Sequence, residues 1–303
     1  FVLTTSYFMD FIRVNDYATV DRSRFPRLLQ HVDHESAEYG LNGCLYDALT
    51  GILITGAENI NVVSKLSTHY SALKMLWSGP KTINAEGNLA PAPNTCGMIN
   101  CYVYNHSSQA WTCIYKRHFD ANVTALAWNL NERRVFVAFQ NGQVCTYQAS
   151  PNFDEFTCIR SSQPHSARID SLVYIPEKDQ LVSTGRDSLI VIQRASSKDF
   201  ELLSEVKVKE GRLCSARYDA VNDYLYVGAG TGKLLVYDMS KEQPQLVHML
   251  SGHEDNVRSL YFCSQSGYLV TGSFDRNCGI WQTVTPTGAA GAAGVTRRTQ
   301  NIG

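Results

Sequence analysis

The sequence predicts an all-β fold of repeated four-stranded units, and three observations carry that prediction. Four segments align without gaps: 122–128 (NVTALAW), 168–174 (RIDSLVY), 212–218 (RLCSARY) and 256–262 (NVRSLYF). Their first apolar positions, Val123, Ile169, Leu213 and Val257, stand 46, 44 and 44 residues apart. Behind each comes a second apolar run ending in a glycine or aspartate bend, then a third run rich in Val, Ile, Leu and Tyr, which is the chemistry of consecutive β-hairpins. Four strands recurring at about 44 residues describe the blades of a β-propeller.

The elements follow in order. The second runs are 135–142 (VFVAFQNG), 181–187 (LVSTGRD), 225–232 (LYVGAGTG) and 269–275 (LVTGSFD), and the third are 144–147, 189–192, 234–237 and 279–281. More polar fourth runs lie at 156–160, 202–208 and 246–250. An earlier unit opens with 41–46 (LNGCLY) and 51–58 (GILITGAE), and its third and fourth strands are predicted at 99–104 and 111–116. Leu41 and Val123 are 82 residues apart, so this stretch holds either two blades or one blade with an insertion. The stretch 59–98, with Pro80, Pro91 and Pro93 and no strand-turn-strand signature, favours an insertion in the first blade, projecting from a propeller edge where long loops carry function. Within it, 72–77 (ALKMLW) is an apolar run with no blade of its own, which makes Leu76 and Trp77 candidate partner contacts.

Composition limits the function classes. The hydrophobic share of 44% supports a packed core, and the net charge of −1 supplies no overall field for nucleic acid or an anionic membrane. No run is long and apolar enough for direct membrane insertion. The nine cysteines form neither a C-x-x-C pair nor a Cys/His cluster at zinc spacing; read as small apolar residues of strands, they fit a reducing, cytoplasmic compartment. The stretch 228–233 (GAGTGK) departs from the phosphate-loop spacing and sits between two strands, so a hairpin turn is expected there and no cofactor is predicted. The basic pairs Arg133-Arg134 and Arg297-Arg298 read as solvated charges, and the acceptor patterns at Asn105 and Asn122 as unmodified.

The last unit resembles a WD repeat: Gly252-His253 precedes its first strand, Thr271-Gly272-Ser273-Phe274-Asp275 forms its second bend, and Ile280-Trp281 ends its third strand. The resemblance implies a buried structural tetrad of His253, Thr271 or Ser273, Asp275 and Trp281. A catalytic reading of the same residues would need an exposed nucleophile, which a blade interior does not offer. Other units keep pieces, such as His165 with Asp187, while Asn141-Gly142 replaces the bend aspartate and Tyr237-Asp238 the Trp ending. The run 133–238 (RRVFVAFQNG, LVSTGRD, DYLYVGAGTGKLLVYD) is similar to the propeller of the WD repeat and FYVE domain-containing proteins, and weaker likeness extends from about residue 26 to the end. It implies kinship with endosomal adaptors that carry a phosphoinositide-binding zinc finger. The paired cysteines of such a finger are absent from this sequence, so that activity is not carried over.

The expected organisation is an N-terminal extension at 1–24, possible material for a degenerate blade, a WD-repeat β-propeller at 25–283, and a Gly/Ala-rich flexible tail at 284–303. Five four-stranded blades are recognisable, whereas the resemblance implies a seven-bladed type with degenerate or absent blades. Ring closure is open between strands from 1–20, segments beyond this chain, and a partner; 24–32 (RFPRLLQHV) is expected as a fourth strand stapled onto a closing blade. With no catalytic residues, no metal site, no cofactor and no small-molecule substrate predicted, the expectation is a non-catalytic scaffold or adaptor for other proteins in a multi-subunit assembly. The alternative is an endosomal adaptor reaching membranes through a partner or a missing segment.

Overall fold

The computed structural model describes residues 8–13, 27–33, 39–47, 49–59, 81–83, 89–91, 97–105, 107–108, 110–263, 267–282 and 296–298, with backbone alone for 8–13, 27–33, 39–41, 59, 81–83, 89–91 and 296–298. Two strands, β1 (Phe8–Arg13) and β2 (Arg27–Asp33), form a sheet of their own. The first four-stranded sheet joins β3 (Tyr39–Asp47), β4 (Ile52–Asn59), β7 (Gly97–Asn105) and β8 (Ala110–Phe119). Between its second and third strands lies the short pair β5 (Lys81–Ile83) and β6 (Leu89–Pro91). The second sheet is β9 (Val123–Asn129), β10 (Arg134–Phe139), β11 (Val144–Ala149) and β12 (Phe156–Ser162). The third is β13 (Ile169–Ile175), β14 (Gln180–Gly185), β15 (Leu189–Arg194) and β16 (Leu202–Lys207). The fourth is β17 (Leu213–Asp219), β18 (Tyr224–Ala229), β19 (Lys233–Asp238) and β20 (Gln245–Ser251). The fifth is β21 (Val257–Cys263), β22 (Tyr268–Ser273), β23 (Cys278–Gln282) and β24 (Thr296–Arg298). Five four-stranded sheets with strands in sequential order are the blades of a β-propeller.

The chain divides into two compact units, Phe1–Leu126 with Ala149–Thr157, and Ala127–Gln148 with Cys158–Gly303. In the first unit, Gly56 on β4 lies against β9: a Cβ there would come within 2.6 Å of Val123 Cγ1. Asn42 Nδ2 donates to the Val123 carbonyl at 2.9 Å. Both contacts fasten the start of the second blade's first strand onto the first blade.

In the second unit, strand alternation explains how one blade serves two interfaces. Successive strand residues face opposite sides of a sheet. On β18 and β19, Leu225, Val227, Leu235 and Tyr237 join Ile175, Val182, Ile190 and Ile192 of the preceding blade in one buried cluster. The intervening Tyr226, Leu234 and Val236 join Leu269 and Trp281 of the following blade. Both faces are therefore apolar, which is why these strands read as near-continuous hydrophobic runs.

The turns repeat with the strands. The residue before each blade's second strand has a positive φ: Gly51, Arg133, Asp179, Asp223 and Gly267. Gly142, Ser188, Gly232 and Arg276 do the same in the next hairpin of blades two to five, each donating its N–H to the carbonyl three residues earlier. A left-handed conformation costs a side-chain-bearing residue about 1–2 kcal/mol. Arg276→Gly, at φ 70° in a turn, is therefore expected to raise stability by about 0.5–1 kcal/mol after the unfolded-state entropy of glycine is subtracted. An upward shift of the urea midpoint at constant m-value would register it.

Four expectations are corrected. The 24–32 segment is not a blade strand: β2 pairs with β1, from Phe8↔Asp33 to Arg13↔Arg27. A local pairing closes a far smaller loop than one between the two ends of the chain. The outer strand of the last blade is instead β24, which pairs Ile280↔Arg298 through Gln282↔Thr296 and occupies the open edge of β23 from within the stretch read as a flexible tail. The insertion contains a strand pair, β5–β6, whose three-residue strands are too short for periodicity to register. Finally, Cys44, Cys113, Cys158 and Cys278 are exposed, and among the described cysteines only Cys101, Cys145 and Cys214 are buried; Cys113 and Cys158 lie on fourth strands, whose outer face meets solvent. The eight described cysteines are all free. Burial pushes the Cys101 thiol up to about 12, so it packs as an inert apolar group.

Candidate functional site

The last blade assembles the chain of side chains its motif suggests. A donor-only indole at one end and an acceptor-only carboxylate at the other give the hydrogen bonds their direction. Trp281 Nε1 donates to Thr271 Oγ1 at 3.0 Å, Thr271 Oγ1 meets His253 Nε2 at 2.6 Å, and His253 Nδ1 meets Asp275 Oδ2 at 2.9 Å. Asp275 also accepts the N–H groups of Glu254 at 3.0 Å and Asn277 at 2.8 Å. Ser273, the other hydroxyl candidate, stands outside the chain: its Oγ donates to the Asp255 carbonyl at 2.9 Å and accepts the Asp275 N–H at 3.2 Å. Gly279 makes room for the network, since a Cβ there would fall 2.5 Å from Thr271 Oγ1 and 2.8 Å from Trp281 Nε1.

A second network of the same form sits in the third blade. His165 Nδ1 lies 2.9 Å from Asp187 Oδ1 and its Nε2 lies 2.9 Å from Ser183 Oγ, while Asp187 accepts the Ser166 and Leu189 N–H groups. Ser183 escapes the sequence reading, although it follows His165 by the same 18 residues that separate Thr271 from His253. At the Trp position stands Gln193, which donates instead to the Phe200 carbonyl at 3.3 Å. The hydroxyl positions of the second and fourth blades hold the buried Val137 and Val227, so there apolar contact replaces the network.

These groups are enclosed. The His253 and Asp275 side chains are 1% and 6% exposed, and Thr271 is fully buried, so the hydroxyl is inaccessible as a nucleophile. Burial opposes ionisation of Asp275, but the Glu254 and Asn277 amides and His253 outweigh it and hold the carboxyl far below its ordinary range. For Asp187, burial is likewise outweighed by His165 and the Ser166 and Leu189 amides. Both carboxyls bind protons more weakly folded than unfolded. Their stabilisation is present above about pH 4 and is lost as the pH falls through the folded-state values. Asp275→Ala is expected to cost about 1–3 kcal/mol near neutrality by leaving buried donors unpaired. Asp275→Asn should differ from the parent progressively less as the pH is lowered, read from urea unfolding across the acid range.

A strongly charged surface feature lies where three consecutive blades meet within the second unit. Asp170, Arg186, Arg212, Cys214, Asn256, Arg258 and Phe274 line a recess of about 110 Å³. They occupy equivalent places 44 residues apart, Arg212 and Asn256 before β17 and β21, Asp170, Cys214 and Arg258 at the second position of β13, β17 and β21, and Arg186 and Phe274 after β14 and β22. The frame is a repeated backbone bond, with the N–H groups of Arg186, Gly230 and Phe274 donating to the carbonyls of Arg168, Arg212 and Asn256 at 2.8, 2.9 and 3.1 Å. The Asp170 carboxylate, 2% exposed, accepts Nε of Arg168 and Nε of Arg186, each at 2.8 Å, and Arg258 Nη1 stands 3.7 Å away. The Arg258 guanidinium also lies over the Phe274 ring, 5.5 Å from its centroid. Leu76 and Trp77, the sequence-derived contact candidates, lie outside the described residues.

The repeated blades form a β-propeller, and two of them carry the His–Asp network that the likeness to WD repeats implies. The family described as WD domain, G-beta repeat matches residues 244–282, the outer strand β20 of the fourth blade and β21 to β23 of the fifth. Over 221 residues the chain is 23% identical to WD repeat and FYVE domain-containing protein 1 of Homo sapiens, covering 73% of this chain and 52% of that protein. It is 20% identical over 183 residues to WD repeat and FYVE domain-containing protein 2 of Homo sapiens, covering 60% and 45%. It is 23% identical over 137 residues to the guanine nucleotide-binding protein subunit beta of Nicotiana tabacum, covering 43% and 36%. The chain spans about half the length of the WD repeat and FYVE domain-containing relatives it matches, and similarity falls on the WD repeats.

Proposed function

We propose that this chain is a non-catalytic scaffold that binds other proteins in a multi-subunit assembly in the cytoplasm. One observation carries the reading: blades with a fixed interior present the same loop positions side by side, filled with different side chains. Positions 168, 212 and 256 hold Arg, Arg and Asn, and positions 186, 230 and 274 hold Arg, Gly and Phe. The interior holds packing and buried networks, while Phe274 and Tyr261 are left exposed and the Arg258 guanidinium lies over Phe274, a mixture suited to protein contacts. Affinity purification with the folded chain as bait tests this. Recovery of a stoichiometric, salt-resistant protein assembly is the expected result, and a chain that returns alone overturns it.

A trafficking role is the finer form of this reading. It is supported by likeness to relatives whose names include a FYVE domain. No FYVE domain is shown in this chain, and the described residues hold no His/Cys/Asp/Glu group able to bind a metal. Membrane contact would then run through a partner or through a segment outside these residues. The purified chain should stay in the dense fractions when floated with phosphoinositide vesicles, and rise with them once that partner is added.

A further inference from the structure

The arginine recess of the second unit is unbalanced in charge. Arg168, Arg186 and Arg258 converge on the single carboxylate of Asp170, and among the described residues no carboxylate pairs with Arg212. Glu210, its near neighbour in sequence, is engaged by Lys233 at 2.9 Å and by Thr231. Along the recess wall the three guanidiniums of Arg186, Arg212 and Arg258 meet the one carboxylate of Asp170, a local excess of positive charge in a chain whose formal net charge is −1. At physiological salt such an excess acts over about 8 Å, so it works by contact and not by long-range steering.

Size and surroundings narrow the ligand. A volume of about 110 Å³ lies well below the roughly 300–1,000 Å³ of small-molecule and cofactor sites, so the recess accepts one side-chain-sized group. The wall is cationic, with Asn256 and the thiol of Cys214 completing it. Burial pushes that thiol up, and the charge of Asp170 adds to this against Arg258, Arg212 and Arg186; it therefore adds no negative charge of its own. Arg186 reaches Asp170 through Nε while its side chain remains 42% exposed. Phe274, 61% exposed, stands at the wall with Arg258 stacked on it, an apolar step beside a cationic one. Gly230 completes the shape. A Cβ there would lie 2.5 Å from Arg212 Cγ and 2.7 Å from its Nε, so the missing side chain lets Arg212 lie across the backbone where neighbouring blades carry Arg186 and Phe274.

We propose that this recess, formed by Arg186, Arg212, Arg258 and Phe274, receives an oxyanion-bearing side chain of a partner peptide, flanked by an apolar residue that covers Phe274. This rests on the scaffold reading and names the chemistry of one partner contact. Arginine forks suit planar or tetrahedral oxyanions, and both carboxylate and phosphate share that chemistry. The test uses three synthetic peptides of one sequence, with glutamate, phosphoserine or glutamine before a leucine, measured by fluorescence polarisation against the purified full chain. The glutamate or the phosphoserine peptide is expected to bind, the difference between them identifying the natural oxyanion, and the glutamine peptide is expected not to. Arg212→Ala, which breaks no ion pair, should weaken binding about tenfold. Gly230→Ala should weaken it by displacing Arg212 without changing charge. Both variants should keep the parent melting temperature.

Binding of neither acidic peptide, or binding unaltered by Arg212→Ala, overturns the assignment. Inorganic phosphate binding as tightly as the better peptide overturns it in favour of a free-anion site, and Arg212-dependent flotation with phosphatidylserine vesicles overturns it in favour of a lipid headgroup. The two readings fail separately. An assembly that the parent and Arg212→Ala chains retain equally removes the recess and leaves the scaffold. A parent chain that binds the peptide yet recovers no protein removes the scaffold and leaves an anion site.

Discussion

Gly232→Ala is expected to destabilise the chain by about 3 kcal/mol or more, the combined effect of backbone strain and a collision. Gly232 turns from β18 to β19 with φ 81°, and a Cβ there would lie 2.3 Å from the His253 carbonyl oxygen and 2.7 Å from its carbon. The obstacle is backbone, so no rotamer change relieves it; the loop that positions His253 over Thr271 and Asp275 must move. The equivalent Gly142 has φ 87° and would meet the His165 carbonyl at 2.2 Å, so the same turn presses against both networks. Gly211→Ala separates the two contributions, because Gly211 has φ 75° and nothing within 4 Å of a Cβ. It should cost only the conformational part, about 1–2 kcal/mol. Equal losses at 211 and 232 in urea unfolding would mean that the close approach to His253 carries no weight.

The blade interior was legible because its signals are local and repeated: a spacing of 44 residues, apolar runs parted by Gly and Asp bends, and one well-preserved His–Asp–Trp unit. Where the signal was ambiguous, the ambiguity was physical. Thr271 and Ser273 are two residues apart on β22 and so share a face. Only cross-strand register separates them, with Thr271 opposite Gly279 and Ser273 opposite Val257. In the third blade Gln193 stands where a tryptophan would mark the unit, which hid a network that Ser183 completes. The recess was not legible. Its residues come two or three at a time from three repeats, and the equivalent positions carry unlike side chains, so no window of sequence contains the pattern. Gly230 is the clearest case. As a turn residue it was predictable, but the space it leaves for Arg212 exists only once the β17–β20 sheet is folded. The strands β5, β6 and β24 were missed because three residues carry too little pattern to register, and β24 is held by the vacant edge of β23 and not by its own composition.

Trp281→Ala should cost about 3–5 kcal/mol, the range for removing a buried aromatic side chain. Trp281 packs with Tyr226, Leu234, Val236 and Leu269, so its loss opens the contact between the fourth and fifth blades as well as ending the hydrogen-bond chain. The two contributions can be told apart. Trp281→Phe retains most of the bulk and removes the indole donor to Thr271, a loss of about 1 kcal/mol for one hydrogen bond. The third blade argues that packing dominates, since His165, Ser183 and Asp187 keep their contacts with Gln193 in the indole's place. The second and fourth blades argue the same way: the buried tyrosines Tyr147 and Tyr237 stand there, in blades whose hydroxyl positions hold Val137 and Val227. The position is therefore filled in every described repeat from the second to the fifth, whereas the network is made in only two. Comparable destabilisation by Trp281→Phe and Trp281→Ala would reverse this order and make the Thr271 hydrogen bond the principal tie.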